Sequence, residues 1–167
     1  MTLLIVSDTH GRSDRLKRLF EMHKNVDALI FLGDGLSDLD RAGVQNYNFT
    51  VFAVKGNCDA LGGSLLTICA REELTFNFEG VNFYALHGHT RQVKASLMRA
   101  VYAADEKGVD VLLFGHTHEP LLTYISSEEY NLSRPIYAFN PGSLASHSYG
   151  LCEIRKGQVL LSHGTLD

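Results

Sequence analysis

The feature that most constrains this chain is a set of five separate apolar runs, each ending in polar residues of the types that bind metals. The runs cover residues 3–6, 28–32, 50–54, 81–86 and 109–114. The polar residues that follow are Asp8 and His10, then Asp34, Asn57, His87 and His89, and finally His116 and His118. Ligands of an α/β sheet gather beyond the carboxyl ends of its strands, so we expect these side chains to share one edge. Such a collection of Asp, Asn and His describes a metal centre.

Length and composition are those of one globular domain. The chain has 167 residues, 45% of them apolar, so we expect a single domain spanning residues 1–167. A formal net charge of −4 gives no basic footprint, which argues against a long nucleic acid as partner. We find no secretory leader and no apolar stretch of the roughly 18 residues that a membrane span needs. With only Cys58, Cys69 and Cys152 as scattered cysteines, a cytoplasmic protein without membrane contact is expected.

The hydrophobic pattern predicts two packed sheets with helices outside. The first third reads as β-α-β-α-β, with strands at residues 2–6, 28–32 and 50–54. Its helices are predicted from a cap at Ser13 or Asp14 to about residue 24, and over residues 37–42. A hairpin of residues 74–78 and 81–86 follows, and then a helix over 91–106 that Gly108 ends. Short strands are predicted at 109–114, 121–125, 136–139, 150–154 and 159–161.

Two tripeptides, Asp8-Thr9-His10 and His116-Thr117-His118, share one geometric property. In an extended chain, residues i and i+2 point to the same side, so each tripeptide presents two ligands to one place. Either pattern alone is more often a surface feature, but their occurrence together with Asp34, Asn57 and His87 indicates one shared site. Glycines stand beside the proposed ligands, where a missing Cβ lets the backbone bend tightly near an ion. These glycines are Gly33, Gly56, Gly88 and Gly115.

In their order along the chain, these motifs resemble the calcineurin-like metallophosphoesterase superfamily. The motifs are Asp8-Thr9-His10, Gly33-Asp34, Gly56-Asn57-Cys58-Asp59, His87-Gly88-His89 and Gly115-His116-Thr117-His118. Chain length and the Gly-Asn-Cys-Asp variant resemble its small prokaryotic phosphodiesterase branch. The resemblance implies a four-layer α/β/β/α sandwich of two mixed sheets flanked by helices, with two divalent metals, commonly manganese. It implies that one metal is held by Asp8, His10, Asp34 and His118 and the other by Asp34, Asn57, His87 and His116, with Asp34 as the bridge.

The chemistry of these donors agrees with the metals that the resemblance implies. Imidazole combined with carboxylate or amide oxygen suits manganese, iron, cobalt, nickel or zinc. Two dications would outweigh the charges of Asp8 and Asp34 and would attract a small phosphoester in spite of the acidic chain. The implied reaction is phosphodiester hydrolysis by in-line attack of a hydroxide that bridges the metals. Asp34, Asn57 and His89 are the catalytic residues that we expect.

One departure from the superfamily pattern concerns the leaving group. Much of the superfamily has His after the Asn of the third motif, resembling an acid for the leaving group, and here Cys58 takes that position. A thiol of pKa about 8.5 is a poor acid, so we expect a preference for aryl over alkyl diesters. Cys58, Arg12 and Arg91 are predicted to contact the substrate, and Lys55 also flanks a motif. Asp59 is interpreted either as a residue that orients a neighbour or as a turn cap, and Asn140 is interpreted first as a turn residue.

Several alternatives remain at this point. A phosphomonoesterase could use the same site, and a retromer subunit that resembles this fold acts as a non-catalytic binding scaffold. A nucleotide-binding module is disfavoured, because no Gly-x-Gly-x-x-Gly follows the first strand. The apolar stretch over residues 60–71 is consistent with a lid, a self-association patch or core, so a homo-oligomer is left open.

Overall fold

The computed structural model describes residues 1–59 and 70–167, and within them ten strands form two five-stranded mixed sheets. The first sheet contains β1 Thr2–Val6, β2 Ala28–Phe31, β3 Thr50–Ala53, β9 Ser148–Arg155 and β10 Gln158–Thr165. Its order is β10-β9-β1-β2-β3, in which β1, β2 and β3 run parallel and β9 is antiparallel to both of its neighbours. The predicted β-α-β-α-β unit is therefore confirmed.

The second sheet follows in the chain and has the order β4-β5-β6-β8-β7. Its strands are β4 Glu73–Phe78, β5 Val81–Leu86, β6 Val111–Phe114, β7 Leu121–Ile125 and β8 Ile136–Asn140. The hairpin of β4 and β5 is antiparallel, as predicted, whereas β5, β6 and β8 run parallel. Helices α1 Ser13–Met22 and α2 Leu36–Arg41 lie between strands of the first sheet in the chain, and α3 Met98–Glu106 and the single turn α4 Ser127–Tyr130 between strands of the second.

The alternation of side chains along each strand divides the core into three layers of apolar contacts. Leu4 and Val6 of β1 pack in one cluster with residues of α1 and α2, whereas Leu3 and Ile5 point to the other face and meet the second sheet. Phe83 of β5 joins that central cluster, whereas Tyr84 and Leu86 of the same strand pack with α3. Three clusters between four layers give the helix-sheet-sheet-helix sandwich that was predicted.

Two predictions at helix starts were wrong. The cap of α1 is Arg12, which makes no side-chain capping hydrogen bond, so neither Ser13 nor Asp14 fills that role. The helix predicted from residue 91 begins only at Met98, because residues 89–95 form turns and Gln92 has a positive φ of 53°. Such a backbone angle is left-handed and cannot continue an α-helix.

Other boundaries differ by less. β9 and β10 extend beyond the predicted 150–154 and 159–161, because their polar and exposed residues continue an antiparallel ladder that hydrophobicity alone does not reveal. The predicted helix over residues 37–42 is displaced by one residue. The stretch 60–71, for which a lid, a self-association patch or core was considered, lies outside the described residues except for Ala70 and Arg71.

Candidate metal centre

The carboxyl ends of the parallel strands bring most of the predicted ligands within a few ångströms of one another. His118 Nε2 lies 3.1 Å from Asp8 Oδ1, and His10 Nε2 lies 3.2 Å from His118 Nε2. On the other side, His87 Nε2 lies 3.4 Å from Asp34 Oδ2 and 4.0 Å from Asp8 Oδ1. These side chains come from loops after β1, β2, β5 and β6. The first and the last of these loops are more than a hundred residues apart in the chain.

The two oxygens of Asp8 have different surroundings. Oδ2 accepts hydrogen bonds from the Ser7 hydroxyl and, at 3.0 Å, from the backbone N–H of His116. Oδ1 is buried without a hydrogen-bond partner and faces the rings of His10 and His118. A buried carboxylate oxygen without a partner is costly unless a cation binds it, so this atom is the strongest sign of a metal site.

Asp34 is the second buried carboxylate of the site. Its Oδ1 accepts the backbone N–H of Cys58 at 2.7 Å, and its Oδ2 faces His87. Burial by itself would raise the pKa of Asp34, but the hydrogen bonds from His87 and from the Cys58 backbone outweigh burial and hold it well below the ordinary value. The carboxyl group is therefore ionised at neutral pH and can act as a metal ligand.

His87 is held in one orientation by the strand beside it. Its Nδ1 lies 2.7 Å from the backbone oxygen of Leu32, and because that oxygen can only accept, Nδ1 carries the proton. Nε2 therefore points into the site, where it also lies 3.2 Å from Asn57 Oδ1. Burial opposes a charge on His87, yet Asp34 and Asp8 raise its pKa above the ordinary value. This arrangement, a backbone acceptor behind and carboxylates in front, is common for metal-binding histidines.

His116 lies next to His87, with 5.0 Å between the ring centroids. Burial, together with the positive charges of His87 and Lys94, lowers the pKa of His116 to about 4. Its ring is therefore neutral at pH 7, the form in which imidazole binds a metal. Among the described residues, His116 belongs to no group of three His, Cys, Asp or Glu side chains whose ligand atoms all lie within 4.8 Å of one another.

Half of the described non-glycine residues with a positive φ are predicted ligands. Five of them have a left-handed φ between 44° and 69°, namely Asp8, His10, Asp34, His116 and His118. Non-glycine residues reach this region at a cost, and such costs concentrate at functional sites. The i, i+2 geometry assumed for an extended chain is therefore not how the two tripeptides present their ligands, although each still directs both of its outer residues to the site.

Asp59 organises the loops that carry Asp34 and Asn57. Its Oδ2 accepts the backbone N–H groups of Asp34 and Gly56, and its Oδ1 accepts those of Gly35 and Leu36, all at 2.8 Å. The loops of Asp34 and Asn57 can approach each other closely because residue 56 is glycine. A Cβ at Gly56 would lie 2.0 Å from Asp34 Oδ1. Both interpretations of Asp59, as a residue that orients a neighbour and as a turn cap, are consistent with these contacts.

Three further residues support the two tripeptides, Asp38 and Ser143 the first and Asn140 the second, and sequence reasoning gave no role to Asp38 or Ser143. Asp38 of α2 is buried and accepts the Thr9 hydroxyl and, at 2.8 Å, the backbone N–H of Gly11. Ser143 donates its hydroxyl to the backbone oxygen of Asp8 at 2.8 Å. Asn140, interpreted as structural, is buried and donates to the backbone oxygen of Gly115 at 2.9 Å. A carboxylate at the start of a helix and a serine after a turn are too common in sequences to be singled out in advance.

His89 and the residues predicted to contact the substrate lie around the buried carboxylates, at the rim of the site. His89 has a buried Nδ1 without a partner, and its Nε2 lies 3.6 Å from Glu72. Arg12 is exposed, whereas Arg91 donates from Nε and Nη2 to the two carboxylate oxygens of Glu73, at 2.8 and 3.1 Å. Substrate binding by Arg12, Cys58 and Arg91 stays a prediction, and the pairing of Arg91 with Glu73 is a structural contact that the sequence did not indicate.

Three overlapping triads of donors within the described residues fit a divalent metal. In each triad the ligand atoms lie within 4.8 Å of one another, and the sets are Asp8, His10 and His118; Asp8, Asp34 and His87; and His10, Asp34 and Cys58. Two triads share Asp8 and two share Asp34, as expected where carboxylates are common to neighbouring ions. Nitrogen and oxygen donors dominate, which fits transition-metal dications.

Comparison with known proteins identifies the family of this chain. The family model described as "Calcineurin-like phosphoesterase superfamily domain" matches residues 1–165. The chain belongs to this superfamily. It is 32% identical over 145 residues to the probable metallophosphoesterase YsnB of Bacillus subtilis, covering 86% of this chain and 75% of that protein. It is 25% identical over 162 residues to the phosphodiesterase MJ0936 of Methanocaldococcus jannaschii, covering 90% and 89%. This calcineurin-like protein is therefore a phosphoric ester hydrolase of the small prokaryotic kind.

Solved structures agree on the fold. A predicted phosphoesterase from Streptococcus pneumoniae superimposes with a TM-score of 0.75 at 22% identity, covering 98% of this chain and 88% of that one. Vps29 from Entamoeba histolytica in complex with Zn²⁺ superimposes with a TM-score of 0.71 at 19% identity, covering 99% of both chains. In the described part of this calcineurin-like protein, no helix has the length and apolar character to cross a membrane.

Proposed function

We propose that this calcineurin-like protein is a phosphodiesterase that depends on two divalent metals. Asp8, His10, Asp34 and His118 would hold one ion, and Asp34, Asn57, His87 and His116 the other, with Asp34 between them. Manganese is the metal we expect first, with nickel, iron, cobalt and zinc as alternatives. The observation that carries the proposal is the buried, unpartnered Oδ1 of Asp8, which faces two imidazoles.

The chemistry of the proposed reaction divides between the metals and the protein. When bound, the two dications would supply a hydroxide for in-line attack on phosphorus and the positive charge that stabilises the departing oxygen. The Cys58 backbone N–H donates to the Asp34 carboxylate and fixes its orientation. Asn57 adds an amide oxygen that lies 3.2 Å from His87 Nε2. His89 lies 5.5 Å from His87 between ring centroids, from where its ring can reach a phosphate oxygen of the substrate.

The substrate we propose is a small phosphodiester with a good leaving group. Burial and the nearby Asp34 carboxylate raise the pKa of the Cys58 thiol, which makes it a still weaker acid toward the leaving oxygen. Aryl oxide leaves without a proton more readily than alkoxide. Equal turnover of aryl and alkyl diesters would contradict this preference.

One assay tests the proposed function. Turnover of an aryl phosphodiester and of its monoester is measured with Mn²⁺, Ni²⁺, Co²⁺, Zn²⁺ and Fe²⁺, for the wild type, Asp34→Asn and Asp40→Asn. Asp40 is exposed on α2 and serves as the matched control. We expect the diester to be the better substrate, Asp34→Asn to lose measurable turnover, and Asp40→Asn to match the wild type. An unchanged rate in Asp34→Asn would remove this residue from the mechanism, and a preference for the monoester would favour the phosphomonoesterase alternative.

The scaffold alternative is weaker for this chain. Vps29 proteins share the fold, but this chain carries all seven predicted ligands, including Asp34 and the pair His116 and His118, and this complete set favours catalysis. For location, we propose the cytoplasm, because Cys58 and Cys152 are free thiols, which fits a reducing compartment. Self-association into a homo-oligomer stays a prediction.

A further inference from the structure

Cys58 is more than the neighbour of a ligand, because its sulfur belongs to one of the donor triads. Its Sγ, a ring nitrogen of His10 and a carboxylate oxygen of Asp34 all lie within 4.8 Å of one another. We propose that Cys58 is a metal ligand in its own right when the ion is thiophilic, so that zinc or cobalt is held by His10, Asp34 and the Cys58 sulfur. The inference rests on the metal centre of the proposed function and adds a ligand to it.

The distances suit such an ion. Zinc binds sulfur at about 2.3 Å and imidazole nitrogen or carboxylate oxygen at about 2.1 Å, so two ligand atoms on one tetrahedral ion lie about 3.5 Å apart. The three atoms of the triad lie within 4.8 Å of one another, and rotations of the exposed His10 and Cys58 side chains can bring them to that separation. Cys58 is exposed, so an ion from solvent reaches the sulfur without any opening of the protein.

The loop holds the sulfur in this position. The backbone N–H of Cys58 donates to Asp34 Oδ1 at 2.7 Å, and Asn57 Nδ2 donates to Cys58 Sγ at 3.2 Å. Asp59 joins this loop to the loop after β2, because it accepts one backbone N–H from Gly56 and three from residues 34–36. A ligand whose backbone is already anchored loses little freedom when a metal binds.

An independent observation marks the space beside this triad as a cation site. Asp8 Oδ1 is completely buried, has no hydrogen-bond partner and lies 3.6 Å from His10 Nε2. His10 belongs both to the triad of Cys58 and to a triad of Asp8. One buried carboxylate, that of Asp34, therefore belongs to the triad, and a second, that of Asp8, lies beside His10. A dication near His10 satisfies Asp8 and draws the thiolate at the same time.

Binding through sulfur is a simple ligand exchange. The S–H bond breaks, the proton passes to solvent, and a sulfur–metal bond forms with no change of oxidation state. Because thiolate is a soft ligand, zinc and cobalt gain from it and manganese does not. The ion that occupies the centre thus determines whether Cys58 is coordinated or remains a free thiol.

Cobalt spectroscopy tests the assignment without measuring activity. The metal-free full-length protein, as wild type, Cys58→Ser and Cys152→Ala, is titrated with Co²⁺ and its absorption recorded. We expect visible d–d bands in all three, and a near-ultraviolet sulfur-to-cobalt band in wild type and Cys152→Ala that Cys58→Ser lacks. Cys152 is a buried thiol and so is the matched control.

Each result decides a different claim. Visible bands with no sulfur band in the wild type, or a sulfur band that survives in Cys58→Ser, would overturn the role of Cys58 and leave the metal centre standing. Absence of visible bands in every variant would overturn both the sulfur ligand and the metal centre.

Competition between metals gives a second measurement. We expect Zn²⁺ affinity to fall about tenfold or more in Cys58→Ser, with Mn²⁺ affinity unchanged within about twofold. In a Cys69→Ser, Cys152→Ala background, which leaves one thiol, one equivalent of Zn²⁺ should protect Cys58 from a thiol reagent and Mn²⁺ should not. Equal loss of affinity for both ions, or equal protection by both, would contradict selective coordination.

Discussion

The carboxylate of Asp59 accepts the backbone N–H of Asp34 at 2.8 Å, so one acidic residue orients another across 25 positions of the chain. Asp59 does not face the imidazoles itself. Its two oxygens instead accept four N–H groups from the loops after β2 and β3, and these loops deliver Asp34 and Asn57 to the site. The metal binding that we propose for Asp34 would therefore depend on a residue that we do not expect to touch the metal.

Asp59→Asn should destabilise the protein and lower its activity. The amide keeps the size of the carboxylate, but its NH₂ group would face N–H groups that need an acceptor, and about two buried donors would lose their partner. Each such loss costs roughly 1–3 kcal/mol, so we expect the free energy of unfolding to fall by about 2 kcal/mol or more. Urea unfolding measures this change.

Asp27→Asn is the matched control for Asp59→Asn. Asp27 is exposed and accepts a single backbone N–H, that of Thr2. Its replacement should change the free energy of unfolding by less than about 1 kcal/mol. Equal effects of the two substitutions would show that the four hydrogen bonds of Asp59 do not hold the loops.

Removal of metal should lower the melting temperature. Asp8 and Asp34 are both buried, and without a cation they share the site with His87, whose pKa they raise although burial opposes its charge. An ion present at about 100 times its Kd adds roughly 2.7 kcal/mol, which for a chain of this size corresponds to roughly 5–10 °C. Differential scanning fluorimetry before and after chelation, with Mn²⁺ added back, measures the shift.

Asp8→Asn should abolish this metal-dependent shift in melting temperature. The substitution removes the negative charge of the carboxylate whose buried Oδ1 has no hydrogen-bond partner. Asp105→Asn provides the comparison, since the Asp105 carboxylate binds Ser133 and lies outside the donor triads. The shift should persist in Asp105→Asn. A shift of the same size in Asp8→Asn would argue that metal binds elsewhere.

The sequence predicted the sheets well because continuous apolar runs are a strong signal for buried parallel strands. The helix over 91–106 shows where this signal fails. Val93 and Val101 do pack in one cluster with residues of the second sheet, so the helical spacing of apolar residues is real. Gln92, however, adopts a positive φ, and the chain before Met98 is a series of turns. Apolar spacing reports which residues face the core and does not report the backbone path between them.

The site was predictable to a similar extent. Asp8, Asp34 and His87 stand directly after apolar runs, and the structure brings them together. Asp38 and Ser143 act through tertiary hydrogen bonds to the loop of Asp8, and their positions in the chain bear no fixed spacing to it. Residues that hold ligands through such contacts become visible only once the fold is known.

Arg91 and Arg12 allow a test of which rim residue binds substrate. Because Arg91 is engaged with both oxygens of Glu73, we expect Arg91→Gln to lower the free energy of unfolding by about 1 kcal/mol and to raise KM less than Arg12→Gln does. Arg12 is exposed beside the ligand loop, so Arg12→Gln should raise KM for the aryl diester with little effect on stability. Steady-state kinetics and urea unfolding of both variants decide. A larger rise of KM in Arg91→Gln would assign substrate binding to Arg91.

His23 should make the stability of the protein depend on pH. Burial lowers the pKa of His23 below its ordinary value of 6.5. Between the two values the unfolded chain binds more protons than the folded protein, so stability is fully present above pH 6.5 and is lost as the pH falls through the lowered pKa. In His23→Gln, the melting temperature should fall less steeply than in the wild type between pH 6.5 and about pH 4.5.

Tyr149→Phe separates burial from hydrogen bonding as the cause of this pH dependence. The Tyr149 hydroxyl lies 3.1 Å from His23 Nε2, and its removal leaves the aromatic contact between the rings, whose centroids are 5.1 Å apart. Since burial is the cause of the lowered pKa, Tyr149→Phe should retain the wild-type slope of melting temperature against pH. A slope as shallow as that of His23→Gln would instead identify the hydroxyl as the group that disfavours protonation of His23.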